Sequence, residues 1–294
     1  MEVGDFGGVI KSIVPDDYEK PGDYRDAEGF LVCRNCHTRK ETLFYMPAIG
    51  KAPAEVIKVP CACECENKAW EGRHAQQLMR ERKLYIEQLR REGMMDVLRT
   101  WDTFENDDDR NPEATLLCAQ YVEKWDEMLR DNIGILFTGG VGTGKTFYAG
   151  CIANALTEKL VSVGATSLPK MINKLQTFPE ERARALDALQ RYEFLVLDDL
   201  GVERDTSYAA EQTYLIIDTR YRANKPLIIT TNLSVREMET PQNLTQERIY
   251  DRILEMCPLV VELTGKSRRR QNIAVKQQKA LEQFLRNSQK DVRK

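Results

Sequence analysis

The sequence predicts an α/β protein with a parallel sheet flanked by helices, on three observations. Beyond residue 130, short apolar strands alternate with helical stretches, a pattern that requires crossover connections and therefore parallel strands. One strand, Ile133 to Thr138, runs into a glycine-rich loop that opens a helix at Lys145. A second, Phe194 to Leu197, ends in the acidic pair Asp198-Asp199.

The chain of 294 residues has room for about two domains, and its 42% hydrophobic content supplies a sizeable core. With 43 Lys+Arg against 46 Asp+Glu the formal charge is only -3, so any nucleic-acid surface must come from local clustering. The 17 glycines and 11 prolines are too few for a collagenous or low-complexity chain. No apolar run is long enough to span a membrane, and the first ten residues lack the basic start and apolar stretch of a signal peptide. The expectation is a cytoplasmic protein with no membrane partner.

Residues 1 to 30, rich in Gly, Asp and Pro, read as loop or a weakly ordered arm. From about Glu64 to Arg99 good helix formers, with Leu78, Tyr85, Ile86 and Leu89 at helical spacing, predict a connecting helix with a break at Gly93. The acidic run Asp107-Asp108-Asp109 reads as a solvated turn, and residues 113 to 130 as helix. The α/β region then continues with a strand at Ser162 to Thr166, a helix around Pro169 to Leu175, and the strand Phe194 to Leu197. A helix from Ala209 to Arg222 and strands at Leu227 to Thr231 and Leu259 to Leu263 complete it. Cys118, Cys151 and Cys257 lie in periodic apolar stretches and read as core.

The loop Gly139-Gly140-Val141-Gly142-Thr143-Gly144-Lys145-Thr146 fits G-x-x-x-x-G-K-[ST], with an apolar strand before it and a helix after it. Its glycines let backbone amides curl around a triphosphate at conformations and distances that side chains would block. Lys145 is the counter-charge for the β- and γ-phosphates, and the Thr146 hydroxyl is placed to ligate magnesium. ATP and Mg2+ are therefore the expected ligands. Asp198, at the end of a neighbouring strand, would hold the magnesium, while Asp199 stands where a general base or water-positioning carboxylate belongs. One methylene shorter than a glutamate, it fits slow hydrolysis. Asn232, after the buried strand Leu227 to Thr231, is placed to reach the attacking water. Arg248 and Arg252, four apart on one helical face, suit an arginine supplied to an adjacent molecule, and so self-association.

These segments, together with Thr230-Thr231-Asn232-Leu233, Asp251-Arg252-Ile253 and Gly265-Lys266-Ser267-Arg268-Arg269, resemble the AAA+ ATPase of bacterial and phage replicative helicase loaders of the DnaC/DnaI type over about residues 100 to 275. The resemblance implies Walker A at Lys145 and Thr146, Walker B at Asp198 and Asp199, and sensor 1 at Asn232. It implies further an arginine finger at Arg252 and sensor 2 at Arg269, with Arg268 the neighbouring alternative. The double Asp departs from the general AAA+ Asp-Glu pair but is common among such loaders and the related IstB-type transposition ATPases. The family also implies the work: an ATP-bound loader grips a hexameric replicative helicase, opens its ring and delivers it to single-stranded DNA. A transposition helper is the alternative within ATPases, and a non-catalytic nucleic-acid adaptor the alternative outside them.

Five of eight cysteines, Cys33, Cys36, Cys61, Cys63 and Cys65, crowd into one segment, a spacing that favours metal over disulfides in a reducing compartment. Four thiolates make a closed structural zinc site, leaving one cysteine spare. His37 is an alternative ligand and an iron–sulfur cluster an alternative occupant. In loaders of this type the N-terminal domain docks on the helicase, and some carry zinc there. From Lys266 to Lys294 there are ten Lys/Arg and two acidic residues, a basic tail suited to phosphate backbones. Arg268 and Arg270 in that cluster, and Lys170, Lys174 and Phe178 after the second strand, are candidate contacts for single-stranded DNA. The organisation expected is a zinc-binding docking domain over 1–66, a connecting helix over 67–99, an ATPase domain over 100–275 and a basic tail over 276–294.

Overall fold

The computed structural model describes residues 18–48, 53–93, 97–202 and 206–268, with residues 273, 277, 278 and 280 beyond them. The chain divides into two compact units, Met1–Lys83 and Leu84–Lys294. The acidic and basic tail residues Asp291 and Arg293 and the first 17 residues lie outside the described residues.

In the first unit, β1 (Tyr24–Arg25) pairs antiparallel with β2 (Leu31–Val32), so a stretch that reads as loop carries a small sheet. Strands of two residues are too short to leave a periodic signal. The intervening turn is built by Asp26, whose carboxylate accepts from the Glu28 and Phe30 amides at 3.0 Å each. Strands β3 (Glu41–Met46) and β4 (Glu55–Pro60) form a hairpin in register from Glu41↔Pro60 to Met46↔Glu55. Leu43, Phe44, Tyr45 and Val56 stand exposed on it. The core of this unit is small: Phe30, Leu31, Val32, Cys33 and Cys63 are its buried apolar residues among those described. The helix α1 spans Glu64–Glu92 and ends at Gly93, whose carbonyl accepts from the Ala165 amide at 3.0 Å.

The second unit holds a five-stranded sheet in the order β6-β7-β8-β5-β9, with every adjacent pair parallel. Its strands are β5 (Ile135–Gly139), β6 (Val163–Ser167), β7 (Phe194–Leu200), β8 (Leu227–Thr231) and β9 (Leu259–Leu263). The expected helix over 113–130 is two, α2 (Pro112–Glu123) and α3 (Trp125–Arg130), separated at Lys124. Then follow α4 (Lys145–Glu158), α5 (Leu168–Leu175), α6 (Pro179–Arg191), α7 (Ser207–Ala223), α8 (Val235–Glu239) and α9 (Leu244–Met256). Helices α6 and α8 were not among the expected elements. The proline and paired glutamates opening α6, and the Ser234/Glu237 capping box opening α8, are the local signals that form them.

Strand alternation sorts the core into two layers. Leu195, Leu197, Leu227 and Ile229 pack with residues of α5, α6, α7 and α9 on one face. Phe194, Val196, Ile228, Ile135 and Phe137 pack with α2 and α4 on the other. Burial on both faces explains why these strands read as continuous apolar runs. Cys118, Cys151 and Cys257 are buried in this unit.

Among the described residues of this unit, one charged side chain is wholly enclosed. Arg220 on α7 has no exposed surface, and burial pushes its pKa down to about 9. It donates to the carbonyls of Leu189 at 2.9 Å, Tyr192 at 2.7 Å and Glu193 at 3.0 Å, and also to that of Pro226. These carbonyls end α6 and precede β7 and β8, so one guanidinium satisfies the turns that feed two central strands. Arg220→Met should therefore destabilise the unit by about 3 kcal/mol or more, because four buried acceptors lose their donor together. Urea denaturation checks this, and a loss below about 1 kcal/mol would mean that the carbonyls find other partners.

Candidate nucleotide-binding site

Strand β5 delivers the chain to the glycine-rich loop, and α4 leaves it with Lys145 as its first residue. The first amides of a helix have no intrahelical acceptor, so the start of α4 presents N–H groups and a positive dipole end to the pocket. Two loop glycines are required by close approach. Gly142 (φ +80) would put a Cβ 2.3 Å from Ser267 Oγ, and Gly144 (φ +115) would put one 2.4 Å from Arg268 Nη1. These glycines thus make room for the segment after β9 as well as for phosphate.

The loop borders a cavity of about 560 Å3, lined by Val141, Gly142, Gly144, Lys145, Thr146 and Phe147 from the loop and α4. Asp198, Asp199, Asn232 and Ser167 line it from other strand ends, Lys170 from α5, Arg268 from the segment after β9, and Val97, Arg99, Asp102, Asn106 and Asp108 from the segment before α2. Lys145, only 7% exposed, donates from Nζ to the carbonyls of Gly139 at 2.7 Å and Gly140 at 2.8 Å and to Asn232 Oδ1 at 2.8 Å. Thr143 donates to the Gly140 carbonyl at 2.9 Å, bracing the loop from within.

The strand that carries the acidic pair is not adjacent to β5, because β8 lies between them. That corrects the expectation of a neighbouring strand, and it explains Asn232: the end of β8 falls between the loop and the carboxylates. Asp198 accepts from the Thr146 hydroxyl at 3.0 Å and from the Thr230 hydroxyl at 2.6 Å. Burial pushes its carboxyl above the usual range, against those hydrogen bonds and the Lys145 charge. Asp199 adopts a left-handed φ of +62 at a register shift between Leu197 and Leu200, and its amide donates to Thr230 Oγ1 at 3.0 Å. Successive strand residues ordinarily face opposite ways; the irregularity lets both aspartates line the cavity. Thr230, which serves both, was missed by sequence reasoning, where it passed as an ordinary strand residue.

In the acidic run Asp108 and Asp109 are exposed, as a solvated turn requires, but Asp107 is half-buried and the run makes tertiary contacts that the expectation did not include. Asp107 accepts from the Tyr148 hydroxyl at 3.2 Å, and Asp108 forms an ion pair with Arg268 at 2.7 Å. Both residues flank the loop because the segment before α2 packs beside α4; Asp102 there would lie 2.7 Å from a Cβ on Gly150. Arg269 and Arg270 lie outside the described residues.

Arg252 is not among the residues lining this cavity. It sits on α9 with Nη2 at 2.9 Å from Asp218 Oδ1 and its guanidinium over the rings of Tyr214 at 4.7 Å and Tyr221 at 5.4 Å. Lys174 is half-buried on α5, and Phe178, at the start of α6, is 79% exposed. In the first unit the sulfur atoms of Cys33, Cys36, Cys63 and Cys65 lie within 4.8 Å of one another. Cys61 is the one left out, with its sulfur 3.7 Å from the Arg39 carbonyl. The Thr38 hydroxyl, hydrogen-bonded to Cys36, is the largest cause holding that thiol down at about 5.

A glycine-rich phosphate loop, an acidic strand one place removed and a polar strand end between them define an ATP-binding protein with the AAA+ fold. The sequence profile of IstB-like ATP binding proteins matches residues 72–276, and the chain belongs to that family. It is similar to the replicative helicase loader DnaC of Escherichia coli strain K12, at 28% identity over 138 residues, 46% of this chain and 54% of DnaC. It is also similar to the replicative helicase loader DnaI of Bacillus subtilis strain 168, at 24% identity over 222 residues, 70% of this chain and 67% of DnaI. A solved structure of the DnaC helicase loader aligns with a TM-score of 0.50 at 26% identity, covering 56% of this chain and 99% of that one. The match thus spans about half the length of the E. coli loader.

Lys145→Ala should weaken ATP binding at least ~100-fold, since the phosphates lose their main side-chain counter-charge. Titration calorimetry reads this, with an unshifted melting curve showing that the fold survives; near-normal affinity would move the nucleotide elsewhere.

Proposed function

We propose that this chain is an ATP-controlled loader that grips a hexameric replicative helicase and delivers it to single-stranded DNA. The observation that carries this reading is the phosphate pocket with Asp198, Asp199 and Asn232 at its rim, in a family member similar to proteins named replicative helicase loaders.

Hydrolysis would proceed as water attacks the γ-phosphorus and the bond to the β–γ bridging oxygen breaks, releasing ADP and phosphate. Asp199 orients the water and takes its proton, Asn232 holds it in line, and Lys145 offsets phosphate charge. Thr146 and Asp198 suit magnesium: both offer hard oxygen donors, and a buried carboxyl pushed upward by desolvation gains from a cation beside it. Magnesium, when bound there, supplies further neutralisation of the phosphates. The short Asp199 side chain favours slow turnover, which suits a switch.

Residues 1–66 serve in this reading as the helicase-docking domain, with zinc held by Cys33, Cys36, Cys63 and Cys65. Four clustered thiols fit tetrahedral zinc, and the small core around them calls for a staple. The exposed Leu43, Tyr45 and Val56, which share one side of the hairpin, supply an apolar face for a protein partner, with Phe44 exposed on the other side. Residues 67–99 connect this part to an ATPase over 100–275, with the basic tail 276–294 beyond. Lys174, Phe178 and Arg270 are the proposed contacts with single-stranded DNA; Lys170 and Arg268 line the nucleotide cavity and are assigned to the nucleotide. Arg252 acts on the nucleotide of a neighbouring subunit, which requires it to leave Asp218.

The full-length protein should capture a replicative helicase and raise its loading on single-stranded DNA in the presence of ATP. Protein purified without chelator should carry about one equivalent of zinc. Cys33→Ser with Cys36→Ser should lose both metal and helicase capture while keeping ATP binding. Capture of a transposase in preference to the helicase would favour a transposition helper instead.

For the role of Arg252, Arg252→Ala and Lys145→Ala should each fail in ATP turnover, yet recover activity when mixed with helicase and single-stranded DNA, since one supplies a pocket and the other a finger. The lost rate can reach on the order of 10³-fold in such arrangements. Mixtures no more active than the two variants alone exclude action in trans.

A further inference from the structure

Arg268 reaches the phosphate loop from the segment that follows the edge strand β9. Its amide donates to the Gly142 carbonyl at 2.9 Å, and its guanidinium lies against Gly144, 6.0 Å and 5.9 Å from the ring centroids of Phe147 and Tyr148. At 18% side-chain exposure it is largely shielded from water, so its charge acts strongly on whatever shares the cavity. What shares it is a carboxylate: Asp108 Oδ1 stands 2.7 Å from Arg268 Nη2, and both residues line the cavity with Lys145 and Thr146.

A carboxylate is a poor neighbour for a triphosphate. One guanidinium nitrogen cannot serve Asp108 and a phosphate oxygen fully at once, and the two anions repel. The structure provides a second partner for the carboxylate, since Arg110 Nε lies 3.0 Å from Asp108 Oδ2. The adjacent Asp107 is tethered by the Tyr148 hydroxyl, so the turn is anchored while Asp108, 38% exposed, is freer to turn away.

We propose that Asp108 sets the nucleotide affinity of this site by competing with phosphate for Arg268: on ATP binding the guanidinium passes from the carboxylate to the nucleotide, and Asp108 retains Arg110. The exchange keeps ATP from binding as tightly as the loop alone would allow, and it couples the phosphate to the segment before α2. It rests on the reading of the cavity as an ATP site.

The test is a double-mutant cycle on the full chain, measuring Kd for ATP with magnesium by titration calorimetry for the parent protein, Asp108→Asn, Arg268→Ala and the pair, each checked by thermal melting. Asp108→Asn should bind ATP about tenfold more tightly. In the Arg268→Ala background the same change should bring only about twofold, the share due to direct repulsion. Asp108→Ser should behave as the Asn variant does. Weaker binding by Asp108→Asn would make Asp108 a support for Arg268 and overturn the competition, as would equal gains with and without Arg268. Absence of ATP binding by the parent protein would instead reject the ATP site itself.

Discussion

The insertion of β8 between β5 and β7 is the constraint on which the nucleotide site depends. Neighbouring strands lie about 4.8 Å apart, so the phosphate loop and the acidic pair are separated by about twice that distance at the carboxyl edge of the sheet. The gap is what a phosphate chain and a water need, and the side chains at the end of β8 span it. Thr230 reaches one way to Asp198 and to the Asp199 amide, while Asn232 reaches the other way to Lys145. Were β7 paired directly to β5, the carboxylates would crowd the lysine and leave no place for either group.

Around that constraint the unit manages buried charge in different ways. Lys145 donates to neutral oxygen groups, two backbone carbonyls and the Asn232 side chain, and Asp198 accepts from two threonine hydroxyls. Both remain able to act on a ligand. Arg220 is the opposite case: enclosed, with its two terminal nitrogens donating to backbone carbonyls, and not among the residues that line the cavity. Arg268 lies between these, paired with a carboxylate at the border of the cavity. A guanidinium bound by carbonyls has nowhere better to go, whereas one bound by a carboxylate can trade it for a phosphate. The same logic applies to Arg252 on α9, whose partners are Asp218 and two aromatic rings.

The first unit follows another rule. Its hairpin exposes apolar residues, few of its described apolar side chains are buried, and two of those few, Cys33 and Cys63, belong to the group of four converging thiols. The helix α1 begins at Glu64, between Cys63 and Cys65, which brings the last sulfur onto its first turn. That placement separates Cys65 from Cys61, whose strand-end position leaves its sulfur against the Arg39 carbonyl instead.

By itself the sequence determined the α/β class, the phosphate loop, the acidic strand and the cysteine-rich segment, because each is written in neighbouring residues. Strand periodicity, a glycine pattern with Lys145, and crowded thiols need no distant partner to be read. Only the tertiary structure decided that β8 lies between the two functional strands, that Asp198 and Asp199 both face the cavity, and that Cys61 stands apart from its four neighbours. It also set Asp107 against Tyr148 and placed the still-exposed Asp108 at the cavity border, opposite an arginine 160 positions along the chain. The reason is physical: strand order, a left-handed residue at a register shift and an ion pair between remote segments arise from packing and from charges meeting in space, and local sequence carries no period or spacing for them.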